Sequence, residues 1–117
     1  MTIKYIDVAQ EQVTAAEVSI YTAPTATNFE SAHIIYGNCS NVSATDTELT
    51  INIVQNGGSA AVTNRYFLPK VIFAGEYDPL TPLIGSILKA GDFIVTIADD
   101  ASRLNLKLSI KEVYTDT

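Results

Sequence analysis

Residues 103–111 alternate between polar and apolar side chains at every position, and this period of two constrains the fold more than any other feature of the sequence. The apolar members are Leu104, Leu106, Leu108 and Ile110, and the polar members are Arg103, Asn105, Lys107, Ser109 and Lys111. Successive side chains of a β-strand point to opposite faces of a sheet, whereas a helical face repeats about every 3.6 residues. The segment therefore predicts one strand with an apolar face toward a core and a polar face toward solvent.

The same period recurs in two other segments, and no stretch of helical length shows the helical period. The predicted inward side chains are Leu49, Ile51 and Ile53 in residues 47–55, and Phe93, Val95 and Ile97 in residues 93–97. One helical turn is predicted over residues 8–16, where Gln, Glu and Ala cluster.

Turn signals separate these segments. The Asn-Gly-Gly-Ser sequence at residues 56–59 predicts a chain reversal, residues 38–46 a polar loop, and residues 98–102 a hairpin loop between the last two strands. Pro69 lacks the N–H that a sheet requires, so the segment around it is predicted to be an edge strand, a bulge or two strands. About seven or eight short strands at this spacing predict an all-β, antiparallel β-sandwich of the jelly-roll type. We expect a single sandwich domain over residues 17–117, preceded by an N-terminal arm or first strand over residues 1–16.

Composition excludes several classes of protein. The chain has 117 residues, of which 47% are hydrophobic and 17% charged, with a net charge of −6, one Cys and no Trp. A disordered chain would be less apolar, a disulfide scaffold needs several Cys, and a nucleic-acid binder needs a basic patch. The sequence contains no run of about 18 apolar residues, so no membrane span is predicted, and the first residues do not have the pattern of a secretory leader. We therefore expect a protein made in a cytoplasm that binds neither nucleic acid nor membrane.

Few residues suggest chemistry. His33, the one histidine, has no Ser, Cys or Asp motif nearby that would complete a catalytic triad. Cys39 has no adjacent base or helix start that would lower the pKa of its thiol. Asp99 and Asp100 could contribute to a calcium site, which would need about six oxygen ligands, so that alternative stays open. We expect no catalytic residue, no cofactor, no metal site and no enzymatic activity.

Two apolar segments are predicted to contact other subunits. Residues 73–83 are too apolar for a free loop, and residues 2–12 are too apolar for a free tail. Tyrosine is enriched where proteins meet. The predicted interface residues are Ile3, Tyr5, Tyr66, Phe73, Tyr77, Pro79, Leu80 and Pro82.

The order of short phrases along residues 18–113 is similar to that of a known group of proteins. Tyr-Thr-Ala-Pro-Thr at residues 21–25 is followed by Asn-Cys-Ser-Asn at 38–41, a strand at 49–54, a Gly-Gly turn, and Leu-Lys-Ala-Gly-Asp-Phe-Ile-Val-Thr-Ile-Ala at 88–98. This order resembles small jelly-roll or β-sandwich virion proteins of tailed bacteriophages. The longer link at residues 73–83 departs from their simplest form.

The resemblance implies a non-enzymatic virion protein made in the host cytoplasm. The first expectation is a capsid decoration or cement protein, a dimer or trimer that bridges subunits of the major capsid protein and so stabilises the assembled head. The first alternative is a neck, tail or fibre component. A β-sandwich carbohydrate-binding module is the second alternative, against which the absence of Trp weighs.

Overall fold

The protein, described here by a computed structural model over residues 1–10, 12–65 and 69–116, is built from two antiparallel sheets. Its nine strands within these residues are β1 (Thr2–Gln10), β2 (Val18–Thr22), β3 (Phe29–Asn41), β4 (Thr47–Val54), β5 (Lys70–Ile72), β6 (Tyr77–Asp78), β7 (Ile87–Leu88), β8 (Phe93–Ala98) and β9 (Leu104–Tyr114). The larger sheet has the order β1-β9-β3-β6, with β7 also paired to β3, and the smaller has the order β2-β8-β4-β5.

This strand order is that of a jelly roll, in which the first and last strands are neighbours and the chain passes repeatedly between two sheets. The predicted all-β antiparallel sandwich is therefore confirmed. The described strands exceed the expected seven or eight because the link after β5 contains β6 and β7, each of two residues. The division of the chain at residue 16 stays a prediction.

The core lies between the sheets, and β9 supplies much of it. Leu104, Leu108 and Ile110 are fully buried and Leu106 is 3% exposed, as the alternation predicted. Burying one such side chain stabilises a fold by about 1.5–3 kcal/mol. From β4, Leu49 and Ile51 are also fully buried in this core, and the predicted inward residue Ile53 packs against it.

The predicted inward face of β8 is wrong. β8 pairs with β4 so that Ala98 lies beside Leu49 and Ile94 beside Ile53, which turns Ile94 and Ala98 toward the core. Phe93, Val95 and Ile97 therefore face outward. β8 is apolar on both faces, so its alternation does not indicate which face is inside.

Residues 60–65 lie over the outer face of the smaller sheet, and this cover accounts for the apolar outward side chains of β8. Asn52 in β4 donates hydrogen bonds to the carbonyl of Ala61 at 2.8 Å and to Oδ1 of Asn64 at 2.6 Å. This segment covers the sheet, so the predicted outward residue Asn52 is 4% exposed. The side chain of Asn52 thus points away from the core between the sheets and is buried by residues 60–65.

Three further predictions about local structure are wrong. The described part of residues 8–16 has no helical turn, because β1 continues to Gln10. The segment 98–102 does join β8 to β9, but these strands belong to different sheets and form no hairpin. The predicted loop at residues 38–46 is wrong in its start: residues 38–41 are the end of β3, where Asn38 pairs with Lys107 and Cys39 with Leu106, and only residues 42–46 form the loop. The segment after Pro69 is an edge strand, β5, as the proline predicted.

Candidate interaction surface

One face of the larger sheet points away from the core and exposes apolar and aromatic side chains. Register places Ile3 beside Val113, and Lys111 between Tyr5 and His33, all on the side opposite the buried residues of β9. Tyr5 and Tyr77 are each 69% exposed. We call this surface the outer aromatic face and define it by Ile3, Tyr5, Ile35, Tyr36, Tyr77, Ile87 and Val113.

A β-bulge in β3 enlarges this face. Ile34 pairs with Ile110, but the next residue of β9, Ser109, pairs with Tyr36, which leaves Ile35 as an extra residue. Ile35 and Tyr36 are consecutive and both exposed, at 43% and 46%. Strict alternation would have turned one of them inward, so the bulge supplies two neighbouring contact residues.

The predicted interface residues do not form one continuous surface. Ile3 and Tyr5 lie at one edge of the outer aromatic face, and Tyr77 lies at the other. Phe73 is 57% exposed and lines a shallow cavity of about 210 Å³ with Tyr77. Pro79 and Pro82 are exposed in the link that follows, whereas Tyr66 lies outside the described residues. The sequence analysis did not predict Ile35, Tyr36 or Ile87 as contact residues. The first two are exposed together because of the bulge, and nothing in the residue pattern indicates a bulge at this position.

The prediction that Leu80 is an interface residue is wrong, because Leu80 is fully buried in the chain's own core. Its φ of 52° lies in the left-handed region, and its N–H donates to Oδ1 of Asp78 at 2.8 Å. A Cβ atom added to Gly37 would lie 3.3 Å from Cβ of Leu80, so the glycine makes room for this contact. The apolar link thus folds over the sandwich at this point and does not offer Leu80 to a partner.

The acidic loop residues accept hydrogen bonds from backbone N–H groups or form an ion pair. Asp99 Oδ1 accepts from the N–H of Glu48 at 2.9 Å, and Asp46 Oδ1 accepts from Ala74 at 2.9 Å. Asp100 forms an ion pair with Arg103 at 2.9 Å. Among the residues that the structure describes, no group of three His, Cys, Asp or Glu side chains is placed to hold a metal ion.

The histidine has a serine hydroxyl as its hydrogen-bond partner, and the cysteine is buried. His33 Nε2 is 2.9 Å from the hydroxyl of Ser31, on the outer face of β3. Cys39 is fully buried, and burial raises the pKa of its thiol from 9.0 to about 12. The raised pKa favours the protonated thiol near neutral pH, and the buried side chain is not exposed for an intermolecular disulfide.

A buried carboxylate joins the two sheets. Glu112 in β9 is 5% exposed, and it accepts hydrogen bonds from the hydroxyls of Tyr21 at 2.6 Å and Tyr114 at 2.7 Å. The hydrogen bond to Glu112, with burial, raises the pKa of Tyr114 to about 12. Burial and the same carboxylate raise the pKa of Tyr21 further. Both hydroxyls are donors, so this cluster is a cross-sheet link between β2 and β9.

No helix within the described residues is long and apolar enough to cross a membrane.

Comparison with known proteins gives a fold and no family. No family model and no curated protein match the sequence. The chain is similar to a solved subunit of Bacillus endospore appendages, described as disulfide-linked pili, with 13% identity, a TM-score of 0.55, and coverage of 97% of this chain and 88% of that one.

Two chains of infectious bursal disease virus are also similar, and this protein spans about a third of their length. The first, from the Gx strain, has 13% identity and a TM-score of 0.46, covering 94% of this chain and 32% of that one. The second, from the T13 particle, has 7% identity and a TM-score of 0.46, covering 96% and 31%. At these identities a likeness shows fold alone, and the similarity to the appendage subunit places this chain among jelly-roll-like β-sandwiches.

Proposed function

We propose that this chain is a non-enzymatic structural subunit of an assembled particle, and that its outer aromatic face packs against neighbouring protein subunits. One observation carries the proposal: six apolar or aromatic residues of the outer aromatic face, all but the half-buried Val113, are exposed on the same side of the larger sheet, interspersed with polar residues. Exposed tyrosine and aliphatic side chains set among polar residues are typical of surfaces that contact other proteins.

The charges on this face support burial against protein. The outward charged residues of β1 and β9 are Asp7, Lys107 and Lys111, whereas the whole chain has a net charge of −6. Ser109 on the same face donates to Asp7 at 3.1 Å. A nearly neutral surface rich in Tyr, Ser and Asn loses less hydration energy on contact than a strongly charged one.

The first candidate particle is the virion of a tailed bacteriophage, where the chain would act as a capsid decoration or cement protein. The sequence resemblance supports this candidate. A subunit that binds only the assembled lattice of major capsid protein stabilises that lattice by mass action. A neck, tail or fibre position would use the same face, and copy number separates the two: on the order of hundreds for a shell, about six or twelve for a ring.

The second candidate is a subunit of a surface appendage, favoured by the likeness to the endospore pilus subunit over 97% of this chain. Such an assembly would not be linked through Cys39, the one cysteine, because it is fully buried. A filament would then depend on non-covalent packing.

Co-sedimentation with purified particles tests the proposal. The wild-type chain is expected to pellet with particles of its source, and Ile35→Asp, on the outer aromatic face, is expected to lose at least about tenfold in affinity. Val62→Asp is the matched control, because Val62 is 70% exposed on the other side of the sandwich. A wild-type chain that binds no particle or filament would overturn the proposal, and so would equal loss by both variants. Binding to a glycan array without any particle binding would favour the carbohydrate-binding alternative.

A further inference from the structure

β1 is a long free edge of the larger sheet. Its nine residues, Thr2–Gln10, pair on one side with β9 without any register shift. Within the described residues, no other hydrogen bond reaches the backbone of β1. A strand paired on one side only leaves every second N–H and C=O pointing outward, ready to pair with another strand.

The other three edges of the sandwich are protected. β5 has three residues, and β6 and β7 have two each. β2 has five residues and is interrupted by a bulge between Ser19 and Tyr21. Short strands and bulges are among the usual devices against edge-to-edge pairing, and β1 has neither; its only charged side chains are Lys4 and Asp7.

We propose that β1 pairs with β1 of a second copy of this chain, antiparallel and about a two-fold axis at Ile6, so that the two larger sheets join into one. This inference deepens the proposed function, on which it rests for its purpose: it sets two outer aromatic faces side by side as a single surface.

The two-fold register follows from the residues of β1. Opposite residues of an antiparallel pair point to the same face. Centring on Ile6 sets Thr2 opposite the partner's Gln10 and so pairs the whole strand. Centring on Lys4 or Asp7 would oppose like charges, and centring on Tyr5 would leave the end of the strand unpaired.

Charge favours this edge over other surfaces of an acidic chain. β1 and β9 together carry three basic residues, Lys4, Lys107 and Lys111, against Asp7 and the buried Glu112, although the whole chain carries −6. In the proposed register Asp7 lies opposite the partner's Tyr5, and the partner's Lys111 flanks that tyrosine. Two copies can therefore approach here without the repulsion that their net charge would cause elsewhere.

Light scattering with size exclusion on the isolated chain tests the pairing. The wild type is expected at twice its 12.6 kDa mass. Tyr5→Asp sets a carboxylate opposite the partner's Asp7 twice per dimer and is expected to weaken association at least about tenfold. Adding Asp7→Lys to that variant should restore the dimer. Tyr77→Asp is the matched control, since Tyr77 has the same 69% exposure at the opposite edge.

Cysteine cross-linking tests the register. In the double variant Ile3→Cys with Ala9→Cys, the thiol at position 3 of each copy lies opposite the thiol at position 9 of the other copy. Their Cα atoms are within the separation of about 4.4–6.8 Å that a disulfide needs. The two positions are about 20 Å apart within one strand, so no intrachain bond competes. Oxidation should give a covalent dimer in the double variant only, because each single variant faces no thiol.

The outcomes separate this inference from the proposed function. A wild-type monomer, or a dimer unchanged by Tyr5→Asp, overturns the pairing through β1. A dimer that dissociates with Tyr5→Asp but does not cross-link overturns the register. A monomer that still pellets with particles overturns the pairing and leaves the structural role standing. A dimer that binds no particle overturns the structural role and leaves the pairing standing.

Discussion

At the scale of single residues, the most consequential group is the carboxylate of Glu112. It lies between the sheets and accepts from one tyrosine of each, at 2.6 and 2.7 Å. Lys4 Nζ lies 4.8 Å from the centre of the Tyr114 ring and adds a cation near the cluster. A buried charge persists only where hydrogen bonds replace its lost hydration, and the two hydroxyls do so here.

Glu112→Gln should therefore destabilise the fold. The amide is a weaker acceptor than the carboxylate, and it brings donors to a place where both neighbours already donate. We expect the free energy of unfolding to fall by about 1–3 kcal/mol, measured by urea denaturation. The same substitution at the exposed Glu30 should change it by less than about 0.5 kcal/mol. Equal effects at both positions would contradict the cross-sheet role.

Alkaline pH should weaken the fold through Cys39 and Tyr114. Their pKa values rise from 9.0 and 10.0 to about 12, so the folded state holds protons that the unfolded state releases. The stabilisation is complete below pH 9 and is lost as pH rises from 9 toward 12. We expect the urea midpoint of the wild type to begin to fall near pH 9, and that of Cys39→Ala to begin to fall only near pH 10, the ordinary pKa of tyrosine. An unchanged onset would show that the thiol does not take part.

At the scale of elements, sequence predicts a strand's inward face only where its two faces differ. β9 has one polar face, so its buried residues were predictable from the alternation. β8 has apolar side chains on both faces because residues 60–65 cover one of them, a tertiary fact that local pattern does not contain. The candidate surface follows the same logic. Ile3 and Tyr5 were predictable as too apolar for a free tail, whereas the bulge at Ile35 depends on pairing with β9, and Leu80 is held inside by a contact with Gly37.

β9 offers a direct measure of that difference between faces. Leu106→Ala should lower the free energy of unfolding by about 2–5 kcal/mol, because it removes buried methyl groups and leaves a cavity. Lys107→Ala, one residue away on the exposed face, should change it by less than about 0.5 kcal/mol. A cost below about 1 kcal/mol at Leu106 would mean that the core closes around the gap.

At the scale of the whole molecule, the sandwich is elongated, 51 × 25 × 20 Å, and the first and last residues that the structure describes lie together. Thr2 pairs with Tyr114, and the N-terminal ammonium forms an ion pair with Asp116. β1 therefore lies along the last strand, and a short linker can join the two ends. This proximity gives a way to ask whether β1 stays in its own sandwich or is an arm exchanged between copies.

A circular permutant answers that question. We join residue 117 to residue 1 through a short Gly-Ser linker and open the chain between Gly57 and Gly58, in an exposed turn. It should keep the wild-type circular dichroism and lose no more than about 2 kcal/mol of stability, because cuts at exposed turns are tolerated. Opening instead between Ser109 and Ile110, inside β9, should prevent folding.

The permutant's mass then distinguishes two kinds of dimer. A chain whose β1 is tethered at both ends can hardly exchange that strand with a second copy, because the linker keeps β1 beside its own β9. Edge-to-edge pairing needs only the free side of β1, which the permutation leaves untouched. We therefore expect the permutant to have the same dimer mass as the wild type. A folded permutant that is monomeric while the wild type is dimeric would point to strand exchange as the source of the dimer.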